Sequence, residues 1–310
     1  MSVRSRSLPG AAAVAVLSVV LAACGAGGSG NGGAPSTPAA GAGSASAAPT
    51  VQKDNALAAL VPADISSDGK IMVGSDTSYA PNEFVAPDGT TIIGMDVDLG
   101  KAIGQKLGLQ VEFQNSAFDG ILPGIQAGRY EMGMSSFTSN AERIQTVDMV
   151  TYFSAGTKLA TPSGNPDKLS LDTLCGKTVA VQRGTVQVDD LTARSDACTK
   201  AGQPAITISQ FQAQTDVTLA LTAKRAQAML ADSPVVDYAV SQTGGQLQIV
   251  GEAYDTAPYG IALPKGKGDY PKAVQGAVQA LISDGTYKTI LDKWGVASGA
   301  IPTSQINATS

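Results

Sequence analysis

The strongest constraint on the fold is an alternation that starts at Lys70, where short apolar runs of strand length are followed by longer segments whose apolar residues recur at helical spacing. KIMVGSD (70–76) reads as a strand ending in polar residues. DVDLGKAIGQKLG (96–108) reads as a helix, with Leu99, Ile103 and Leu107 on one face and Gly108 as its stop. LQVEFQNS is the next strand, and FDGILPGIQAGRY a short helix that Asp119 can cap and Gly128 can end. A second set begins near Lys177 with KTVAVQ, the turn RGT and the helix VQVDDLTARSDACTKAG. AITISQF, QTDVTLALTAKR, AQAMLA and VVDYAVSQTGG continue it, and LQIV and YGIALP are further strands. Two tail helices, 269–284 and 286–294, join through Gly285. This pattern predicts an α/β fold with mainly parallel sheets. Two sets of roughly 100 residues each predict two lobes, with extended links near 153–159 and 254–263.

The opening segment is of another kind. MSVRSRSLPGAAAVAVLSVVLAAC carries two arginines, an apolar stretch from Ala11 to Ala23, and then a cysteine. That is a secretory signal, too short to span a bilayer as a mature helix. Leu21-Ala22-Ala23-Cys24 resembles the bacterial lipobox, whose cysteine is lipidated and becomes the first mature residue; an ordinary signal cut nearby, with Cys24 free, is the alternative. From Gly25 to about Pro49 the chain holds only small and polar residues and proline, too little apolar surface to fold, so residues 24–60 are assigned to a lipidated cysteine and flexible tether. Removing residues 1–23 takes away Arg4 and Arg6 and leaves 19 basic against 26 acidic side chains, a charge of −7. With Cys24 lipidated, Cys175 and Cys198 remain as an even pair in an oxidising compartment. A disulfide between them would close a loop of about two dozen residues and contribute about 3 kcal/mol; two buried free thiols are the other reading.

Composition excludes much chemistry. The 310 residues contain no histidine, which removes Ser-His-Asp and Cys-His catalysis and the HExxH zinc site. Any enzyme built here must rely on carboxylates, lysine or tyrosine. With a net charge of −5 and no basic run after the first residues, nucleic acid is not an expected partner. No motif calls for a metal or a cofactor, and 43% hydrophobic residues suffice for a core.

Where, then, does the chain concentrate recognition chemistry? SSFTSNAER (135–143) surrounds one arginine with small hydroxyls at the end of a short extended run, where open α/β sheets place ligands. A guanidinium fork matches a carboxylate bidentately, so Thr138 and Arg143 can converge on one anion, while Ser135 and Ser136 let a ligand approach the backbone. The competing reading makes Arg143 a surface residue paired with Glu142 or Asp148. In the second set, RGTVQ (183–187) joins a strand to a helix, and free N–H groups at a helix start attract anions, although Gly184 also suits a plain turn. Asp232 in ADSP ends a strand ahead of a helix, as a ligand group, as an N-cap, or as both. Asp76 and Tyr79 in GSDTSYAPNEF, and Phe118 in SAFDG, sit at loop positions; two aromatic rings across a cleft can sandwich a ligand stem or attract a cation.

In their order and spacing these segments resemble the extracytoplasmic solute-binding proteins of polar amino-acid ABC importers. The resemblance runs from about residue 64 to 296 and rests on VGSDTSYAPNEF, DGTTIIGMDVDLGKAIGQKLGLQVEF, FDGILPGIQAGRYE, SSFTSNAER, VDMVTYF, CGKTVAVQRGT, LADSP, YGIALPKG and DGTYKTILDKWG. It implies a two-lobed, type II periplasmic-binding-protein-like α/β fold with two hinge strands and a ligand cleft between the lobes. One lobe would take residues 61–155 and 260–310, the other 156–259. It also implies that Arg143 grips the α-carboxylate of an amino acid, helped by Thr138 and the amide of Thr185 or Val186. Asp232 and the Ser135 carbonyl would meet the α-ammonium, Tyr79 and Phe118 would sandwich the side chain, and Asp76 would meet its polar end.

Several departures from the family pattern, among them Asn140 where relatives often carry a threonine, bear on the ligand's identity. Relatives often carry Gly-Met-Thr or Gly-Ile-Thr at Ser136-Phe137-Thr138, and a phenylalanine at Asn82. Gln182 and Ala231 stand where some relatives place a lysine or a polar residue, and Gln227 stands at a frequent aspartate. Asp76 opposes an acidic ligand side chain and favours an amide or cationic one. The resemblance thus implies a monomeric binding component, lipid-anchored outside the cell, that delivers a polar amino acid to ABC permease subunits driven by a cytoplasmic ATPase. An amino-acid sensor module and a small-molecule dehydratase on the same scaffold are the alternatives.

Overall fold

The computed structural model describes residues 51–309. The signal peptide, the lipidation call at Cys24 and the tether up to residue 50 lie outside the described residues. Residues 51–60 are corrected from tether to folded body. Asp54 accepts from the Ala56 and Leu57 amides at 2.9 and 3.1 Å and starts helix α1 (Asn55–Ala58). Val51, Leu57 and Leu60 then pack on the core.

The alternation sorts as its periodicity predicts. After α2 (Ala63–Ser66) come β1 (Lys70–Ser75), β2 (Ser78–Tyr79), β3 (Glu83–Val85), β4 (Ile92–Ile93), α3 (Met95–Leu107), β5 (Gln110–Asn115), α4 (Phe118–Gln126) and β6 (Met132–Gly133). A single turn, α5 (Arg143–Thr146), leads into the long strand β7 (Val147–Pro162). β8 (Thr178–Gln182), α6 (Val186–Lys200), β9 (Thr207–Phe211), α7 (Gln214–Thr222), β10 (Ala228–Asp232) and α8 (Ser233–Gln242) follow. The chain returns through β11 (Leu247–Pro264) to α9 (Tyr270–Ser283) and α10 (Thr286–Trp294). LQIV and YGIALP, read as separate strands, are the two ends of β11. Register shifts between Val250 and Tyr254, Tyr254 and Ala257, and Tyr259 and Gly260 hide the continuity from a period-2 pattern.

The main sheet runs β5-β1-β6-β11-β7-β10-β8-β9. Its flanks are parallel, β1 with β5 and β6 on one side, β8 with β9 and β10 on the other. β7 and β11 run antiparallel through the middle and pass from one lobe to the other, so the links predicted near 153–159 and 254–263 are segments of two hinge strands. The tail helices return to the first lobe, where Tyr270, Val274, Val278, Leu281 and Leu291 share one core with Leu99, Ile103 and Leu107 of α3. Separate clusters around Val217 and Leu221, and around Leu174, Val179 and Leu191, fill the second lobe. Cys175 and Cys198 are bonded, with Cα atoms 5.6 Å apart, and tie the start of β8 to the end of α6. Asp119 is not a cap: Ala117 holds that position, and Asp119 lies within the first turn of α4, where a negative charge complements the helix dipole.

Candidate functional site

The lobes meet along the ends of β1, β6, β8 and β10, and side chains bond across the meeting line. Gln182 Nε2 at the end of β8 donates to Asp76 Oδ2 beyond β1 at 3.0 Å. The Gln214 amide at the start of α7 donates to Ser78 Oγ at 2.9 Å, and Arg143 Nη2 donates to the Gly184 carbonyl at 3.1 Å. Gly184 has φ +78°, and a Cβ there would come within 3.0 Å of Asp119 Cβ, so glycine suits both the turn and the close approach of the lobes.

Between these contacts lies a small cavity of about 10 Å3, lined by Tyr79, Phe118, Ser136, Thr138, Arg143, Thr185, Val186, Gln187 and Asp232. Its residues come from both lobes. Arg143 is fixed from several sides. Its amide donates to Asn140 Oδ1 at 2.8 Å, Nη1 donates to the Thr138 carbonyl at 2.9 Å, and the guanidinium stands 5.5 Å from the ring centres of both Phe118 and Phe137. The surface pairing with Glu142 or Asp148 is absent among the described residues, where Asp148 instead pairs with Lys265 at 3.1 Å. Of a guanidinium's five N–H donors, two are used here, which leaves donors for an anion. Thr185 precedes α6 and Val186 begins it, so their amides belong to the helix start that lacks intrahelical acceptors.

Opposite in sign to Arg143 is Asp232. It occupies the N-cap position of α8, but its side chain makes no cap bond. Its carboxylate instead accepts from Gln187 Nε2 and from the Tyr259 hydroxyl, each at 2.7 Å. The Tyr79 hydroxyl lies 3.3 Å from its amide. Burial pushes the Asp232 carboxyl above the usual range; the Tyr259, Gln187 and Tyr79 hydrogen bonds and the Arg143 charge pull it back. A buried carboxylate and a half-buried guanidinium facing one cavity are complementary to a zwitterion.

Three predicted residues stand behind the cavity rather than on its wall. Asp76 is buried, and its oxygens accept from Ser78 N and Oγ, Phe118 N and Gln182 Nε2. Burial raises its carboxyl, against these bonds. Gln182 spends its amide nitrogen on Asp76 and on the Gln212 carbonyl at 3.1 Å, while its Oε1 is buried without a partner. Ser135 Oγ accepts from the Asp76 amide at 2.9 Å and donates to Glu83 Oε1 at 3.0 Å. Phe118 is stacked on Phe137, ring centres 4.7 Å apart, and Tyr79 turns its hydroxyl toward Asp232.

Sequence reasoning missed Gln187, Tyr259 and Phe137. A glutamine in the first turn of a helix, buried among apolar neighbours, is the signal that marks Gln187. Tyr259 is hidden by the irregular register of β11. Behind the loop, Glu83 and Asp96 are fully buried together: Ser136 donates its amide to Asp96 Oδ2 at 3.0 Å and its hydroxyl to Glu83 Oε2 at 3.3 Å. Among the described residues, no group of His, Cys, Asp and Glu is arranged to hold a metal, and no helix is long and apolar enough to cross a membrane.

The sequence pattern of the bacterial extracellular solute-binding proteins, family 3, matches residues 71–297. The arginine-binding protein ArgT of Corynebacterium glutamicum is 36% identical over 252 residues, covering 81% of this chain and 82% of that protein. An ancestral arginine-binding protein bound to arginine superposes with a TM-score of 0.68 at 33% identity, covering 73% of this chain and 98% of its own. An ancestral arginine-binding protein bound to glutamine gives 0.68 at 32% identity, covering 74% and 98%.

Proposed function

Because the chain belongs to the bacterial extracellular solute-binding proteins, family 3, we propose that it captures a polar amino acid with a cationic or amide side chain, arginine first, and delivers it to the permease of an ABC importer. The observation that carries this reading is the opposition of Arg143 and Asp232 across one cavity lined from both lobes. Arg143 supplies fork donors to the α-carboxylate, and Thr138 and the amides of Thr185 and Val186 complete its acceptors. Asp232 receives the α-ammonium, an interaction that offsets the cost of burying its charge. Asp76 and Gln182, bonded to each other behind the cavity wall, read the side chain, with the unpartnered Gln182 Oε1 as a further acceptor for a guanidinium or amide. Ser135 acts through Asp76 and Glu83, and Tyr79 and Phe118 flank the stem.

A ligand that touches both lobes at once favours their closure about β7 and β11, which is a population shift with contacts on each side. The names of the relatives, an arginine-binding protein among them, support arginine. The same reading places the protein outside the cell as a monomer, with residues 1–23 as signal peptide and a lipid anchor at Cys24. It assigns residues up to 155 and from 260 to one lobe and 156–259 to the other. The function is binding without turnover, since Asp76 and Asp232 are both engaged in recognition.

Thermal shift of the purified body against the twenty amino acids tests the reading. A ligand present at 100 times its Kd adds about 2.7 kcal/mol of stability. A shift with arginine and a weaker one with glutamine is the expected result. The absence of any shift with an α-amino acid overturns the proposal, and conversion of a bound amino acid to another compound overturns the assignment as a binding protein.

A further inference from the structure

Beyond the family match, which ends at residue 297, the chain continues along the edge of the first lobe to the loop of residues 135–143 that carries Thr138 and Arg143, the ligand loop. We propose that residues 304–308 form a strap that positions this loop, so that Ser139, Asn307 and Ala308 are positioning residues of the binding site. The inference rests on the amino-acid-binding reading above.

The strap is a built feature. In the first lobe β7 is paired with β11 on one side, while β10 reaches it only from Thr157 to Ala160. The free edge of β7 before that point is taken by the strap. Thr151 donates its amide to the Gln305 carbonyl at 2.8 Å, Ile306 bridges Val150 in antiparallel fashion, and Asn307 donates its amide to the Met149 carbonyl at 2.7 Å. Side chains repeat the pairing. Ser304 Oγ donates to the Thr151 carbonyl at 2.7 Å, the Gln305 amide to Thr151 Oγ1 at 2.8 Å, and the Met149 amide to Asn307 Oδ1 at 2.8 Å. Asn307 Nδ2 then reaches Asp148 Oδ1 at 3.1 Å.

At Asn307 the backbone turns left-handed, with φ 54°, a conformation asparagine tolerates better than most residues. The turn brings the Ala308 carbonyl onto Ser139, whose hydroxyl donates to it at 2.6 Å. Ser139 is fully buried, and its own amide donates to the Pro258 carbonyl of hinge strand β11 at 2.8 Å. It is therefore clamped between the hinge and the strap. The neighbouring Thr138 bridges Tyr259 and offers its carbonyl to Arg143 Nη1. One continuous chain of bonds leads from Ala308 through Ser139 and Thr138 to the guanidinium. Small displacements of a binding group reduce binding steeply, so a strap that holds Ser139 holds the Arg143 fork in register.

The test compares the full chain with a variant ending at Thr303, with Ser139→Ala, and with the two combined. Arginine Kd by calorimetry, and amide exchange of residues 136–143 in ligand-free protein, are the readouts. Truncation is expected to weaken arginine binding about tenfold, Ser139→Ala several-fold, and the combination no further than truncation alone, because both act through one bond. Exchange at Ser139 and Arg143 should be about tenfold faster in either variant. Merely structural residues would lower Tm with additive effects on Kd. Should the truncated chain fail to fold, Asn307→Gly in the full chain replaces it; glycine accepts φ 54° but removes the side-chain bonds to the Met149 amide and to Asp148, and again must not add to Ser139→Ala. Affinities within twofold of the parent with unchanged exchange, or additive effects, overturn the proposal. If the parent binds no amino acid, the functional reading fails, and unchanged loop exchange alone then decides against the strap.

Discussion

Asn82 Nδ2 donates to Ser136 Oγ at 2.9 Å, and both residues are buried, Ser136 near the start of the ligand loop. Each stands where relatives often carry something else, phenylalanine and glycine respectively, so two departures from the family pattern meet in one bond. Ser136 has φ 55°, the left-handed region a glycine would occupy without strain. Asn82, Glu83 and Asp96 hold it there through its hydroxyl and amide. Asn82→Phe and Ser136→Gly should each destabilise by about 1–2 kcal/mol, but together by less than their sum, with a coupling above about 0.5 kcal/mol. Urea unfolding of the four proteins measures it, and strict additivity would refute the pairing.

Arginine at 143 should not be replaceable by lysine. Its fork is spread over the Thr138 and Gly184 carbonyls and the faces of Phe118 and Phe137. A point charge on a flexible stem cannot serve these and a carboxylate together. Arg143→Lys is expected to weaken arginine binding by about 2–4 kcal/mol, while Arg143→Ala removes it. Calorimetry alongside an unfolding curve separates this from loss of fold, and an unimpaired Kd in either variant would remove Arg143 from the site.

The alternation from Lys70 carried the α/β class and the two sets because a period of 3.6 or 2 survives in each buried face, as in Leu99, Ile103 and Leu107. The continuity of β11 was not legible, since its register shifts break the period where the strand serves as a hinge. Thr138, Arg143, Thr185, Val186 and Asp232, singled out for their places at strand ends or helix starts, line one cavity. The surroundings of Asp76 were not legible, because its partners Ser78, Phe118 and Gln182 come from three segments that only the fold brings together. The strap lacks any sequence signal, because IPTSQINAT is polar and aperiodic and acts through backbone groups.

Gln182→Lys is expected to reverse charge preference. An ammonium at the end of β8 would pair with Asp76, which now accepts from Gln182 Nε2 across the cleft. The pocket would then lose its net acceptor character and repel a cationic side chain. Arginine affinity should fall about 100-fold or more, with neutral or acidic amino acids affected much less. Competition binding with arginine, glutamine and glutamate reports the outcome; an unchanged arginine Kd would show that neither Gln182 nor Asp76 reads the side chain.

Stability should increase as pH falls from about 7 to 5, owing to Glu83 and Asp96. The two carboxyls are buried together behind Ser135 and Ser136, and Asp96 Oδ1 has no hydrogen-bond partner. Burial, then the Asp96 charge, holds Glu83 well above its ordinary range, so the pair retains a proton. Asp96 is itself pushed up to about 6, chiefly by burial, against bonds from Tyr152, Glu83 and Ser136. Carboxyls with raised folded values bind protons more tightly than the unfolded chain, where they titrate near about 4. The contribution of Asp96 is therefore fully present below about 4 and is lost as pH rises through about 6, and that of Glu83, whose carboxyl is also raised, is likewise lost as pH rises. Glu83→Gln keeps a neutral hydrogen-bonding side chain that needs no proton, so its Tm should vary less between pH 5 and 7 than the parent's, which should differ by several degrees, about 2–4 °C per kcal/mol. Parallel pH profiles for the parent and Glu83→Gln would show that the pair does not carry the retained proton.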